Sequence, residues 1–424
     1  MNWPDGKGED TSRPKQEADM QYLIIGAGIA SASAIKAIRA VEPTAGITVV
    51  SDEQPGFYFR PMLPLLVEAA RNANEFEFPP DFFAVAGLRI VPGRAVSLDP
   101  GKKTVRLMTG DKYSYDRLLI ATGGSAVIPT IPGLAESGKA FALRTLADAV
   151  SLRDACAKAR TGVVIGGGLV GLKAALALKA RSLSVTVVEQ QGQILLPRID
   201  RQGAAMVAAR LQEAGIKIMT GEIVREVNSR GLRLASGKDL EADLIVAATG
   251  TRPNTDWLTS SGIKLAQAIV TDEFQRTSLD DVYAAGDCAQ TVDLVESRPL
   301  VSALWSEAVE MGRTAGCNMA GRKRKYPGGL AVMNATELAG LAMVAVGMVA
   351  DGDPDQEVHV RQSAGTYRKL VFKEDRLTGA IFLGNISKAG LYTSLIRTRK
   401  PLGSLKDKVI CNTLQALDLM PQTG

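Results

Sequence analysis

Two stretches of this chain bring glycines to one spacing after a short apolar run. In the first, Leu23, Ile24 and Ile25 lead into Gly26 and Gly28, with Ser31 at the third position. In the second, Val163, Val164 and Ile165 lead into Gly166, Gly168 and Gly171. A strand, a glycine turn and a helix in that order cradle a pyrophosphate. The first glycine makes the turn, the second lets the backbone approach the phosphates, the third lets helix pack on strand, and the positive helix end faces the anion. Ser31 is small enough to keep that packing. Each unit also needs a carboxylate for a ribose hydroxyl near the end of its next strand. Glu189 stands there in "SVTVVEQ", 23 residues after Gly166. It accepts from a free 2′-OH and repels a 2′-phosphate, which favours the unphosphorylated dinucleotide. In the first unit Ser51 holds the equivalent point, and Glu53, two residues on, is the candidate. A solvated acidic turn is the plainer reading of Glu53.

Two more segments echo one another: "YDRLLIATGG", ending at Gly124, and "EADLIVAATGTRPN", ending at Asn254. Each is an aspartate, a buried apolar strand and Ala-Thr-Gly, so Thr122, Gly123 and Gly250 become candidate cofactor contacts on strands that close each unit. Repeated modules predict repeated architecture. Past them, "SLDDVYAAGDCAQ" places Asp287 after a strand and ahead of a helical stretch. An aspartate beside free backbone N–H groups can take ribityl hydroxyls and a pyrophosphate together.

These elements need room. The 424 residues exceed one hydrophobic core and predict two or three domains. Apolar residues at 46% and charged residues at 22% describe an ordinary globular composition. The net charge of +5 is dispersed and carries no aromatic–basic module, which argues against nucleic-acid binding. Four cysteines, Cys156, Cys288, Cys317 and Cys411, form no close pair, so no metal knuckle or local redox disulfide is encoded. Such sparse use suits the cytoplasm. Residues 1–19 are polar, lack the apolar core of a signal peptide, and read as a disordered lead. The longest apolar run, "LAGLAMVAVGMVA" from Leu338, is too short for a membrane span and reads as buried strands.

The order GxGxxS, ATG, GxGxxG, ATG, GD resembles the flavoproteins with two dinucleotide-binding domains, the FAD-dependent pyridine nucleotide-disulfide oxidoreductase-like family. The likeness covers about residues 20 to 410. It implies an α/β fold of two Rossmann-like domains, the NAD domain inserted in the FAD domain, with a C-terminal α+β cap or interface domain. The expected bounds are 20–123 and 251–325 for the FAD domain, 124–250 for the NAD domain and 326–424 for the C-terminal domain. FAD would occupy the first turn, with Asp287 on its ribityl chain, and NAD(H) the second. "FYFRPMLPLL" and the tail from Tyr367 resemble the NADH:rubredoxin and ferredoxin reductase branch, and the tail also resembles the flavoprotein portion of nitrite reductases and the FAD subunits of tungsten aldehyde oxidoreductases.

Disulfide reductases need a cysteine beside the flavin and a histidine base. Here that stretch reads "RPMLP", and the sole histidine, His359, lies among charges in "DQEVHVRQS". The expected chemistry is therefore hydride transfer from NADH to FAD, then single electrons to an acidic carrier such as ferredoxin or rubredoxin, or to a tungsten or iron–sulfur subunit of a larger complex. Arg60 is the candidate catalytic cation near the flavin; a surface arginine at a proline turn is the bland alternative. Lys173 replaces a glutamate that many relatives place near the nicotinamide, and is expected to meet a carboxylate or the pyrophosphate. The basic run "GRKRKYPGG" with Arg397, Arg399, Lys400, Lys406 and Lys408 offers a docking face, against the plainer reading of solvated turns. The competing readings are an NADH oxidase and a mainly structural FAD-bearing assembly subunit.

Overall fold

The computed structural model describes residues 20–419 apart from 55, 80–81, 83–86 and 351–353, so the lead expected over 1–19 lies outside the described residues. The run Gln21–Ile25 forms the middle of a five-stranded parallel sheet, in the order Val282–Ala284, Arg117–Ile120, Gln21–Ile25, Gly46–Ser51, Leu88–Pro92. A second five-stranded parallel sheet repeats the plan: Ile216–Thr220, Ser184–Glu189, Thr161–Ile165, Leu244–Ala247, Ala140–Phe141. Strands covered on both faces read as unbroken apolar runs, which is why Leu23 to Ile25 and Val163 to Ile165 carry no alternation.

The aspartates of the echoing segments are structural. Asp116 Oδ2 accepts the N–H of Gln21 at 2.8 Å. Asp243 Oδ2 accepts those of Arg160 and Thr161 at 2.8 and 2.9 Å. Each carboxylate thus caps the neighbouring strand at its start. The chain leaves the first sheet through Gly124–Ala126 and returns through Thr251–Pro253, which pair antiparallel, so the second unit is inserted within the first. The threonines of both ATG triplets lock this crossing: Thr122 Oγ1 donates to the Asn254 carbonyl and Thr249 Oγ1 to that of Val127, both at 2.8 Å.

Helix Trp305–Met319 lies on helix Ile29–Arg39 at close range. A Cβ on Gly312 would stand 2.1 Å from the Ala30 carbonyl oxygen, and one on Gly316 would stand 2.4 Å from that of Ala34. The first cradle's helix is therefore braced by a glycine stripe almost 300 residues away in sequence.

The C-terminal part is a five-stranded antiparallel sheet in the order Met333–Leu338, Leu341–Gly347, Arg376–Leu383, Thr366–Lys373, Glu357–Ser363. Ala339 and Gly340, with φ of 49° and 76°, make the tight turn inside the apolar run from Leu338. Side chains alternate as a strand requires: Leu341, Met343 and Ala345 join the core of the second nucleotide unit, while Val344 and Val346 pack under helix Ala389–Thr398. Two buried polar links fasten this sheet. Arg397 meets Glu307 at 2.6 Å, and Glu307 also accepts from Tyr326. Lys369 stands 3.4 Å from Asp200, which Tyr367 also contacts. No helix among the described residues is long and apolar enough to cross a membrane.

Candidate active site

Both glycine turns take the conformation their residues demand. Gly26 and Gly166 adopt φ of +107° and +111°, open to glycine and strained for other residues. A Cβ on them would strike the carbonyls of Ala121 and Ala248 at 2.2 and 2.4 Å. The alanine of each ATG triplet is thus the wall of each turn. Gly28 and Gly168 cap helices Ile29–Arg39 and Leu169–Ala180, with no side-chain cap and nothing within 4 Å of where a Cβ would lie. Each helix start is an open backbone cradle suited to a diphosphate. The third positions differ. A Cβ on Gly171 would stand 2.0 Å from the Gly166 carbonyl, so the contact there is backbone on backbone. In the first turn Ser31, wholly buried, donates its hydroxyl to the Gly26 carbonyl at 2.7 Å, bridging a slightly wider gap.

The two carboxylates are placed differently. Glu189 turns back into its own glycine turn: Oε2 accepts the N–H of Gly167 at 2.6 Å and Oε1 that of Gln191 at 2.7 Å. Glu53 turns toward the loop that follows it. Tyr58 donates to it at 2.5 Å and Arg60 Nη2 at 2.9 Å.

Around Arg60 the fold assembles a cluster that no motif announced. Arg60 Nη1 donates to the Arg144 carbonyl at 2.5 Å. Arg144 Nη2 donates to Asp287 Oδ2 at 2.7 Å, and its Nε to the Gly124 carbonyl at 2.9 Å. The Tyr58 hydroxyl accepts the N–H of Leu146 at 3.2 Å, and the Arg60 guanidinium lies over the Tyr58 ring. Burial pushes the Tyr58 hydroxyl well above its ordinary range. Burial would lower the Arg60 value, but Tyr58 and Glu53 more than offset it, so Arg60 stays charged. Gly123, at φ +65°, sits under the Arg144 guanidinium. Thr122 belongs to the interdomain crossing, and the ATG glycine Gly250 stands at the matching bend with φ +111°. Arg144 was missed because it reaches Asp287 across 143 residues of sequence, and Tyr58, which touches its near neighbours Glu53 and Arg60, because no motif marks a phenol at that place.

The remaining expectations can be placed as well. Cys288 follows Asp287, but its thiol points to the carbonyls of Ile120 and Ala285, and full burial pushes its pKa up. All four cysteines are free. His359 lies on the edge strand Glu357–Ser363, bonded to Glu357 at 2.6 Å. Among the described residues Lys173 pairs with no carboxylate; its ammonium donates to the Glu337 carbonyl of the C-terminal sheet at 2.7 Å. Five cations of the basic docking face pair within the chain: Arg324, Lys325, Arg397, Lys406 and Lys408 with Glu310, Glu273, Glu307, Glu357 and Asp418.

Residues 20–312 match the family model described as pyridine nucleotide-disulphide oxidoreductase. The chain belongs to this family. It is an NADH-dependent FAD oxidoreductase, and the two cradles fit its two dinucleotides. Residues 333–400 match the rubredoxin NAD+ reductase C-terminal domain. Among curated relatives of this oxidoreductase, subunit epsilon of the NADH-dependent phenylglyoxylate dehydrogenase of Aromatoleum evansii is 35% identical, over 95% of the chain and 98% of that protein. The rubredoxin-NAD(+) reductase of Pseudomonas putida is 28% identical, over 84% of the chain and 94% of that protein. Among solved structures, a NAD-dependent persulfide reductase from A. fulgidus superposes with a TM-score of 0.84 at 26% identity, over 92% of this chain and 79% of that one.

Proposed function

We propose that this oxidoreductase feeds electrons from NADH to a protein-borne one-electron acceptor, an iron–sulfur carrier or a metal-containing subunit, and works in the cytoplasm as the diaphorase subunit of a larger complex. When bound, FAD accepts a hydride and releases electrons one at a time, the chemistry that joins a nicotinamide to such an acceptor. The observation that carries the reading is the make-up of the Arg60 cluster: it holds charged and phenolic groups with no thiol pair, so no sulfur relay stands between flavin and acceptor. The near full-length likeness to a subunit of an NADH-dependent dehydrogenase supports the diaphorase role.

The chain's own residues would divide the work. Gly26, Gly28 and Ser31 shape the FAD cradle, and Asp287 takes ribityl hydroxyls. Gly166, Gly168 and Gly171 shape the NAD(H) cradle, with Glu189 on the ribose. Arg60, kept charged by Glu53, offers a cation against the negative charge that reduction adds. Glu53 belongs with Arg60 in this reading rather than with an adenosine ribose.

Anaerobic mixing with NADH should bleach the flavin absorbance within milliseconds to seconds. Purification from the native host should bring iron–sulfur, haem or tungsten subunits with the flavoprotein. Unbleached flavin would support the structural subunit instead. Oxygen uptake matching dye reduction, with no companion subunit, would support the oxidase.

A further inference from the structure

We propose that the edge strand Glu357–Ser363 pairs antiparallel with the same strand of a second copy of this chain, about a twofold axis at His359. The two C-terminal sheets then join into one.

The strand is the last of its sheet, bonded on one side to Thr366–Lys373 and open on the other among the described residues. An open row of backbone N–H and C=O groups is a template for another strand, and edges are usually guarded by lysine, proline or a bulge. This strand carries none of these: it reads "EVHVRQS", and its register runs unbroken. Val358 and Val360, on one face, are 46% and 44% exposed. A hollow of about 430 Å³ lies between these valines and the start of helix Arg201–Glu213, with room for a second pair.

The order of the side chains selects the occupant. A twofold antiparallel pair is centred on a residue, because residues directly opposite share a face. Centred on His359, the pair sets Glu357 opposite the partner's Arg361 and Val358 opposite the partner's Val360, and the symmetry makes each contact twice. Centred on Val360, it would set His359 against Arg361 and Val358 against Gln362. Centred on Val358, it would match Val360 and Arg361 to residues ahead of the strand. Glu-Val-His-Val-Arg is thus complementary to itself in one register.

Arg361 is the residue that gains most. It is exposed and forms no ion pair among the described residues, while Arg368 stands directly opposite it in the ladder. Like charges so placed repel. A carboxylate arriving on the open side offsets that repulsion. Glu357 can supply it: the side chain meets His359 at 2.6 Å and Lys406 at 2.5 Å yet stays half exposed, and a carboxylate has further lone pairs to offer.

Sedimentation velocity of the full-length flavoprotein at micromolar concentration should show a dimer. Arg361→Glu and Glu357→Arg each set like charges face to face twice, and each should raise the dimer dissociation constant about tenfold or more. The double variant Glu357→Arg/Arg361→Glu restores opposite pairs and should recover most of the affinity. Opposite residues stand about 4.5–5.5 Å apart at Cα, within disulfide reach. Cys411 is the exposed cysteine, so in a Cys411→Ser background His359→Cys should give a disulfide-linked dimer more readily than Val358→Cys or Val360→Cys. All variants should keep bound flavin and its bleaching by NADH, which separates lost pairing from lost folding. A wild-type monomer would overturn the proposal, as would a dimer indifferent to both charge reversals or not recovered by the swap. Cross-linking of His359→Cys to a companion subunit in the native-host complex, in place of a second copy, would overturn it too.

Discussion

Glu189 and Glu53 show how two carboxylates of similar sequence position acquire different partners. Glu189 ends the strand Ser184–Glu189, so its side chain reaches directly back over the Gly166 turn to the Gly167 N–H. Glu53 comes two residues after the strand Gly46–Ser51, and the extra length carries it to Tyr58 and Arg60. Glu189→Ala should lower the NADH over NADPH ratio of kcat/KM by about tenfold, the size of one charge-assisted hydrogen bond and one relieved repulsion. An unchanged ratio would mean that the ribose carboxylate lies elsewhere. The place of Glu189 at the glycine turn of the second unit was thus legible from spacing. The partners of Glu53 were not, because a two-residue offset redirects a side chain in a way no motif records.

At the scale of elements, the first glycine cradle depends on a helix far from it in sequence. Gly312→Ala would drive a methyl into the Ala30 carbonyl, two residues from Gly28. The overpacking should cost roughly 1–3 kcal/mol and loosen FAD, seen as a lower Tm together with flavin released on gel filtration. A wild-type Tm would show that the two helices can part freely. The capped strand starts make a second case. The backbone N–H groups of Arg160 and Thr161 hold the Asp243 carboxylate below its usual range. A folded pKa below the unfolded value of about 3.9 gives stability that is complete above the unfolded value and is lost as pH falls through the folded one. Asp243→Asn should accordingly flatten the fall of Tm on the acid side, below about pH 4. Equal acid-side slopes for the two proteins would refute this. The repeated aspartate-strand-ATG segments announced their duplication in sequence, while their roles as strand cap, turn wall and crossing latch emerged from the register of strands far apart in the chain.

The whole molecule is held as one by shared core and by buried ion pairs. One hydrophobic cluster runs from the second nucleotide sheet through Tyr58 and Leu66 into the C-terminal strands. Glu307, fully buried, is matched by Arg397 from helix Ala389–Thr398. Arg397→Ala should cost roughly 3 kcal/mol, because it strands a buried carboxylate, and the double variant Glu307→Gln/Arg397→Met should recover most of it. Urea unfolding of the three proteins checks both expectations; a single variant as stable as wild type would show the carboxylate reaching water. Three of the tail's basic residues, Arg397, Lys406 and Lys408, likewise pair with carboxylates of this chain.

The primary structure was enough for the two cradles and the repeated strands that lead into them, while the insertion of one unit in the other came from the family resemblance. The cradles rest on local rules: glycine where φ is positive, apolar runs where strands are covered. Folding alone could bring Arg60, Arg144 and Asp287 into one charged cluster, set Lys173 on the Glu337 carbonyl and pair Arg324 and Lys325 of the basic run with Glu310 and Glu273. Most of those contacts join residues from different units, and a charge takes its partner from whatever packing places beside it.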